Sequence, residues 1–235
     1  KYDGNQYHQY YCVDDSLGLP DNNITHIYRD SHNRLWVATV NGVCLYQANG
    51  NFKRVSINGN NKNIEKILED KEGRIFFFTM TGLYQYDENT NRAITRLSKM
   101  VEKNCYNFSC HIDRKDVMWI VTSYSVKGYR TRDLKLIAKS PVQSYPITSF
   151  LLDGHQLYIS GYNGMQLFDT DTRKWQYLPA ALQGLQIPND MVSGIHPYGE
   201  KGNLLLSTTK HGLLYFDAQK GTILPQSDKN FPFEV

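Results

Sequence analysis

The chain has little that marks a catalyst or a membrane span. Its four cysteines, Cys12, Cys44, Cys105 and Cys110, contain no CxxC pair, which removes the usual zinc and dithiol spacings. Cys105 and Cys110 on one strand would point to opposite faces, so a disulfide between them needs a bend; all four are read as free thiols. The seven histidines show no HxxxH or HxH spacing, and no metal site is expected. His26 and His111 fall in strands and read as packing residues. There is no GxSxG, P-loop or GxGxxG run, so no catalytic residue and no cofactor is assigned. No apolar run approaches the length of a membrane-spanning helix. An excess of one charge is missing as well: 26 basic less 23 acidic residues leaves +3, too small and too dispersed to argue for nucleic acid. Sustained helical periodicity is also lacking, and residues 97–103 and 179–185 have room for a short helical turn at most.

What is present is a repeat of about forty residues. Asp30–Tyr46 reads DSHNRLWVATVNGVCLY, and Asp70–Tyr86 reads DKEGRIFFFTMTGLYQY. Trp36 falls on Phe76, Thr39 on Thr79, Gly42 on Gly82 and Tyr46 on Tyr86. A third copy carries Asp113, Trp119 and Thr122, with Gly128 arriving late and Ser123–Lys127 read as an insertion. A fourth has Asp153, Tyr158, Gly164 and Phe168, one residue short in its first turn. The fifth has Leu206, Thr209, Gly212 and Phe216.

Each copy reads as strands. Residues 24–29 alternate with both faces partly apolar, which suits a sheet packed between two neighbours. Asp30-Ser31-His32-Asn33 and Asp70-Lys71-Glu72-Gly73 are turns, with Asp placed to accept backbone N–H bonds and Asn or Gly tolerating positive φ. Leu35–Thr39, Val43–Tyr46 and Phe52–Ile57 follow as strands, with Asn49-Gly50 as a hairpin turn. Four short antiparallel strands per repeat predict an all-β β-propeller. Its five full copies lie near residues 16–57, 58–97, 104–139, 145–178 and 188–224, and residues 1–15 are the tail of a preceding blade. Lys1 begins mid-pattern, which predicts a chain excised from a longer one. The repeated Trp36, Phe76, Trp119 and Tyr158 are expected between blades, the repeated glycines in turns, and Thr39, Thr79 and Thr209 bonded within the sheet.

Gly18-Leu19-Pro20-Asp21-Asn22-Asn23-Ile24, followed by Asp30, Leu35-Trp36, Thr39, Asn41-Gly42 and Tyr46, resembles the two-component regulator propeller repeat. The second copy keeps Gly73 and Gly82-Leu83 with Phe76 for Trp. The fifth keeps Gly184-Leu185, Pro188-Asn189-Asp190 and Gly212-Leu213. The resemblance implies part of a seven-bladed propeller in the periplasmic sensor region of a hybrid two-component histidine kinase, of the kind known from glycan-degrading gut bacteria. It further implies an oligosaccharide ligand, a second propeller, and membrane and kinase segments of the same full-length protein, with a homodimeric receptor. A scaffold or dimerisation role, and less so a propeller lyase or glycan hydrolase, are the alternatives.

Ligand recognition is expected where the copies differ. The loops joining strand four to the next strand one, and strand two to strand three, share one end of a propeller. They comprise Pro20–Asn23 with Val40–Asn41, Asn61–Asn63 with Thr81, Glu102–Asn104 with Ser123–Lys127, Ser144–Tyr145 with Tyr162–Asn163, and Ile187–Asp190 with Lys210–His211. Tyr124, Lys127, Tyr162, Asn163 and His211 have the chemistry of a sugar site: amides and charges for hydroxyls, and aromatic faces for the apolar side of a pyranose. The alternative is ordinary solvated turns. Asp169-Thr170-Asp171-Thr172 resembles a cation loop but is read as a hairpin turn.

Overall fold

A computed structural model describes residues 4–13, 17–58, 62–98, 108–140, 146–161, 164–176, 178, 191–200, 202–225 and 228. Every regular element among them is a strand. They form five sheets, each with four antiparallel strands in sequence order; the second sheet gains Ser56–Ile57 as a fifth strand beside its last one. The first sheet holds β1 (Ile24–Arg29), β2 (Leu35–Thr39), β3 (Gly42–Tyr46) and β4 (Phe52–Arg54). After β5 (Ser56–Ile57) come β6 (Lys66–Glu69), β7 (Ile75–Phe78), β8 (Gly82–Asp87) and β9 (Arg92–Ser98). The third sheet is β10 (Phe108–Ile112), β11 (Val117–Thr122), β12 (Val126–Arg130) and β13 (Leu136–Lys139). The fourth is β14 (Ile147–Asp153), β15 (Gln156–Gly161), β16 (Gly164–Asp169) and β17 (Lys174–Gln176), and the fifth β18 (Val192–Pro197), β19 (Leu204–Thr208), β20 (Gly212–Asp217) and β21 (Thr222–Pro225). The chain divides into two compact units, residues 1–103 with 131–134, and residues 104–130 with 135–235. Residues 99–103 and 179–185, where a helical turn had room, lie outside the described residues, whereas 97–98 belong to β9.

The first turn of the first three repeats is built around a buried aspartate, Asp30, Asp70 or Asp113. Asp30 Oδ1 accepts the Arg34 backbone N–H (2.8 Å), while Oδ2 accepts the Trp36 indole N–H (2.8 Å) and Arg34 Nε–H (2.6 Å). Asp113 repeats this, taking the Lys115 and Val117 N–H groups (2.8 and 3.0 Å) and the Trp119 indole (2.8 Å). The fourth turn position has positive φ in all three copies: Asn33 at 63°, Gly73 at 75° and Asp116 at 58°. Burial alone would raise the Asp30 carboxyl, but the bonds from Trp36 and Arg34 outweigh it and hold it below the ordinary range. Asp169 is likewise raised by burial and lowered further by the Thr172 and Asp171 N–H groups, with His155 nearby. A depressed carboxylate stabilises the fold above its unfolded value and loses that contribution as pH falls. Thermal melting temperature should therefore stay level down to about pH 5 and drop by pH ~3; an unchanged value at pH ~3 would contradict this.

Within the first unit the core lies between sheets one and two. Trp36, Ala38, Val43 and Leu45 pack on Ile64, Ile67, Ile75, Phe77, Tyr84 and Tyr86. The Trp36 ring meets Tyr86 edge-on at 4.9 Å and Phe77 at 5.5 Å. In the second unit Trp119 meets Phe168 of the next sheet at 5.3 Å, and Tyr158 joins the core shared by sheets four and five. Phe76 is fully buried.

Three expectations change in detail. The fourth strand does not run through Ile57: β4 ends at Arg54, Val55 turns into the core, and β5 pairs in parallel with β9 of the second sheet. The third copy carries no insertion. Thr122 Oγ1 donates to the Ser125 carbonyl (3.2 Å) as Thr39 does to Gly42 (2.9 Å) and Thr79 to Gly82 (3.0 Å), so Ser125 holds the turn position. Gly128 is a mid-strand residue opposite Trp119, where a Cβ would come within 2.8 Å of the indole ring. In the fifth copy Thr208, not Thr209, makes this bond, to Gly212 (3.1 Å). Counting back, Leu205 stands in register with Trp36, opposite Tyr215 as Trp36 is opposite Leu45, and Leu206 faces the core of sheets four and five. Gly82 also serves a purpose other than positive φ: a Cβ there would meet the Leu97 carbonyl oxygen at 2.3 Å.

Candidate functional site

In the first, second, third and fifth sheets the same Thr hydroxyl bond shapes the turn after the second strand. That bond fixes the chain direction and frees the two or three intervening residues to vary. Tyr124 lies in the turn between β11 and β12, half-buried, with its N–H 3.4 Å from Thr122 Oγ1. His211 lies in the longer turn between β19 and β20, exposed, its N–H donating to Thr208 Oγ1 at 3.0 Å. Lys127 is not a loop residue. It sits within β12, half-buried, opposite Ile120 and Lys139, because the turn closes at Ser125. Tyr162 and Asn163 lie outside the described residues, between β15 and β16. The structure thus keeps Tyr124 and Lys127 on the third sheet and His211 on the fifth, with the fourth sheet between them in the chain.

Two first strands bind their sheet to the next one in the same unit. A register shift interrupts β1 between Ile24 and His26, and β14 between Ile147 and Ser149. The residue at each irregularity is a threonine. Thr25 donates its hydroxyl to the Ile64 carbonyl, and Thr148 to the Val192 carbonyl at 2.7 Å. Sequence reading passed over these threonines because they interrupt the apolar alternation.

Two cavities are lined by described residues of the first unit. The larger, about 510 Å³, is almost wholly apolar and lies over the first sheet, lined by Tyr10, Leu19, Ile24, Ile27, Leu35 and Phe52 among others. Tyr10 bridges it, its ring edge-on to Tyr46 and Phe52 and its hydroxyl 2.9 Å from that of Tyr46. The smaller, about 230 Å³, opens at the end where the variable turns lie and includes Pro20, Asn41, Arg54, Ser56 and Lys62. Pro20, Asn41 and Lys62 fall in loops the sequence singled out; Arg54 and Ser56 were missed because they end β4 and begin β5.

Nothing in these surroundings forms a nucleophile or metal constellation. Burial pushes the Cys44 thiol up to about 12, which keeps it protonated. Cys12 and Cys110 are also free thiols, and Cys105 lies outside the described residues. No group of three His, Cys, Asp or Glu side chains among the described residues could hold a metal ion. Asp169 Oδ1 accepts the N–H groups of Asp171 and Thr172, both at 2.8 Å, which makes this stretch a capped hairpin turn.

Comparison with known proteins places this geometry. Residues 18–41 match the family described as two component regulator propeller. No curated protein matches the chain. Among solved structures, the extracellular domain of BT4673 from B. thetaiotaomicron, described as a one component system, superposes with a TM-score of 0.61 at 20% identity, over 82% of this chain and 27% of that one. The extracellular domain of BT3049 from the same organism, described as a hybrid two component system, gives 0.63 at 19% identity, over 96% and 31%. The computationally designed Ika8 protein gives 0.59 at 11% identity, over 86% and 60%. This chain spans under a third of the length of either B. thetaiotaomicron structure. The five sheets are β-propeller blades, and the first of them opens within residues 18–41, which are similar to the two component regulator propeller family.

Proposed function

We propose that this chain is a non-catalytic, extracytoplasmic sensor region of a hybrid two-component regulator, which recognises a glycan-derived oligosaccharide and passes the signal to a kinase elsewhere in the full-length protein. The observation that carries the reading is the regulator-propeller match at residues 18–41. Two further features support it. The fold is shared with extracellular domains from a bacterium, one of them described as part of a hybrid two component system. The invariant parts of each repeat are occupied with packing and turn closure, which leaves the variable turns for recognition. Periplasmic location, a second propeller, an inner-membrane segment and a homodimeric receptor belong to the same reading. A glycan array followed by calorimetry tests it. The expected outcome is one oligosaccharide class bound without product formation; turnover of the sugar, or an array with no bound member, would overturn it.

A second reading, an assembly surface within such a receptor, is favoured by the apolar cavity over the first sheet. Ile24 and Ile27 there are 38% and 60% exposed. Sedimentation velocity separates the two: assembly without ligand supports the surface, and a concentration-independent monomer rejects it.

A further inference from the structure

The smaller cavity has a one-sided electrostatic character. Arg54 and Lys62 both line it, and no acidic side chain does. Two other arginines of this sheet pair differ in this respect: Arg34 is paired with Asp30 at 2.6 Å, and Arg74 with Asp70 at 2.6 Å. Arg54 is held instead by three backbone carbonyls. Its Nε–H donates to Gly18 (3.0 Å), and its Nη2 to Leu19 (2.7 Å) and Val13 (2.8 Å). These bonds fix the half-buried guanidinium in place and leave its charge without a carboxylate among the described residues. A guanidinium already immobilised loses little further freedom on binding an anion.

The remaining walls suit a sugar. Asn41 reaches the cavity from the turn between β2 and β3, and Ser56 from the start of β5. Among the described residues the Asn41 carboxamide and the Ser56 hydroxyl make no bond within the chain, which leaves them for ligand hydroxyls. Pro20, beneath Gly42, supplies an apolar wall. A volume of about 230 Å³ is at the small end for a ligand pocket, so it takes one residue of an oligosaccharide and leaves the remainder outside.

We infer that this cavity is a subsite for an acidic sugar residue, its carboxylate or sulfate oxyanion seated between Arg54 and Lys62 and its hydroxyls on Asn41 and Ser56. The inference rests on the saccharide-sensing reading and narrows the ligand to anionic saccharides. It also moves the centre of recognition from the third and fifth sheets to the first.

Calorimetry of the full chain at low salt tests it with five probes: trigalacturonic acid, its methyl ester, chondroitin 6-sulfate disaccharide, cellotriose and inorganic sulfate. At least one of the two acidic saccharides is expected to bind, and the ester and cellotriose should bind at least ten times more weakly. Lys62→Glu, an exposed change that leaves the fold alone, should weaken the acidic saccharide roughly tenfold or more, as expected for a lost charge-assisted bond. Arg54→Gln should do so too, with circular dichroism checking that its carbonyl contacts are not needed for folding. Equal binding of cellotriose, or Lys62→Glu without effect, would overturn the acidic subsite and leave the sensor reading standing. Inorganic sulfate binding as tightly as the saccharides would overturn the sugar part. No binding by any saccharide would count against both.

Discussion

Trp36→Ala should lower the stability of the first unit by about 3–5 kcal/mol, the usual cost of removing a large aromatic from a core. Trp36 is 0% exposed. Its ring packs on Phe77 and Tyr86 of the second sheet, and its indole N–H satisfies one oxygen of Asp30. The substitution therefore opens a cavity between two sheets and removes a donor from a buried carboxylate, both of which act in the same direction. A urea midpoint that falls with an unchanged slope would show lost stability rather than a changed unfolded state. Trp36→Phe should recover most of the packing and none of the hydrogen bond. Phe76, in the same register position of the second sheet, shows that the repeat accepts this arrangement. An unchanged midpoint for Trp36→Ala would mean that the ring is not part of the core.

Asp113→Ala is expected to cost about 2–4 kcal/mol, because buried donors left without acceptors carry their full desolvation penalty. Three N–H groups converge on this carboxylate, from Lys115, Val117 and the Trp119 indole. Among the described residues no arginine shares it as Arg34 shares Asp30. The pair can be isolated with Trp119→Phe, which removes the indole donor and keeps most of the ring. In the double variant the indole is no longer stranded, so the two losses should sum to more than the combined effect, by about 1 kcal/mol. Strict additivity would show that Asp113 acts through the turn backbone alone.

Most of the fold could be read from the sequence because the repeat states it several times. The Asp turn, the buried aromatic and the Thr before the second hairpin recur with the same contacts, and each depends on chemistry local to a few residues. The readings that failed did so where a position is defined by pairing instead of by residue type. Gly128 looks like the hairpin glycine, but register decides, and Ser125 closes the turn through the same carbonyl. Thr209 looks like Thr39, but one added residue in the turn shifts the bond to Thr208. The placement of Lys127 followed from the first of these errors. The cationic cavity was legible only in part. Lys62 and Asn41 lie in variable loops, whereas Arg54 belongs to the regular strand pattern, and its hold on three backbone carbonyls appears only once the chain is folded.

The first two sheets carry isoleucine at matching positions with opposite fates. Ile64 and Ile67 are 0% and 1% exposed beneath sheet one, whereas Ile24 and Ile27 remain open. In a stack of sheets, stability is a sum of intrinsic terms and nearest-neighbour couplings. Strand β1 therefore holds its place through one coupling where β6 has a covering layer, and the two sheets need not open together. Amide protons of β1 can exchange with solvent through a partial opening that leaves the ladder of β6, β7 and β8 intact. Unfolding of this unit is then expected to have a direction, with the strand of Ile24 and Ile27 exchanging before the buried Trp36 and its aromatic contact between the sheets.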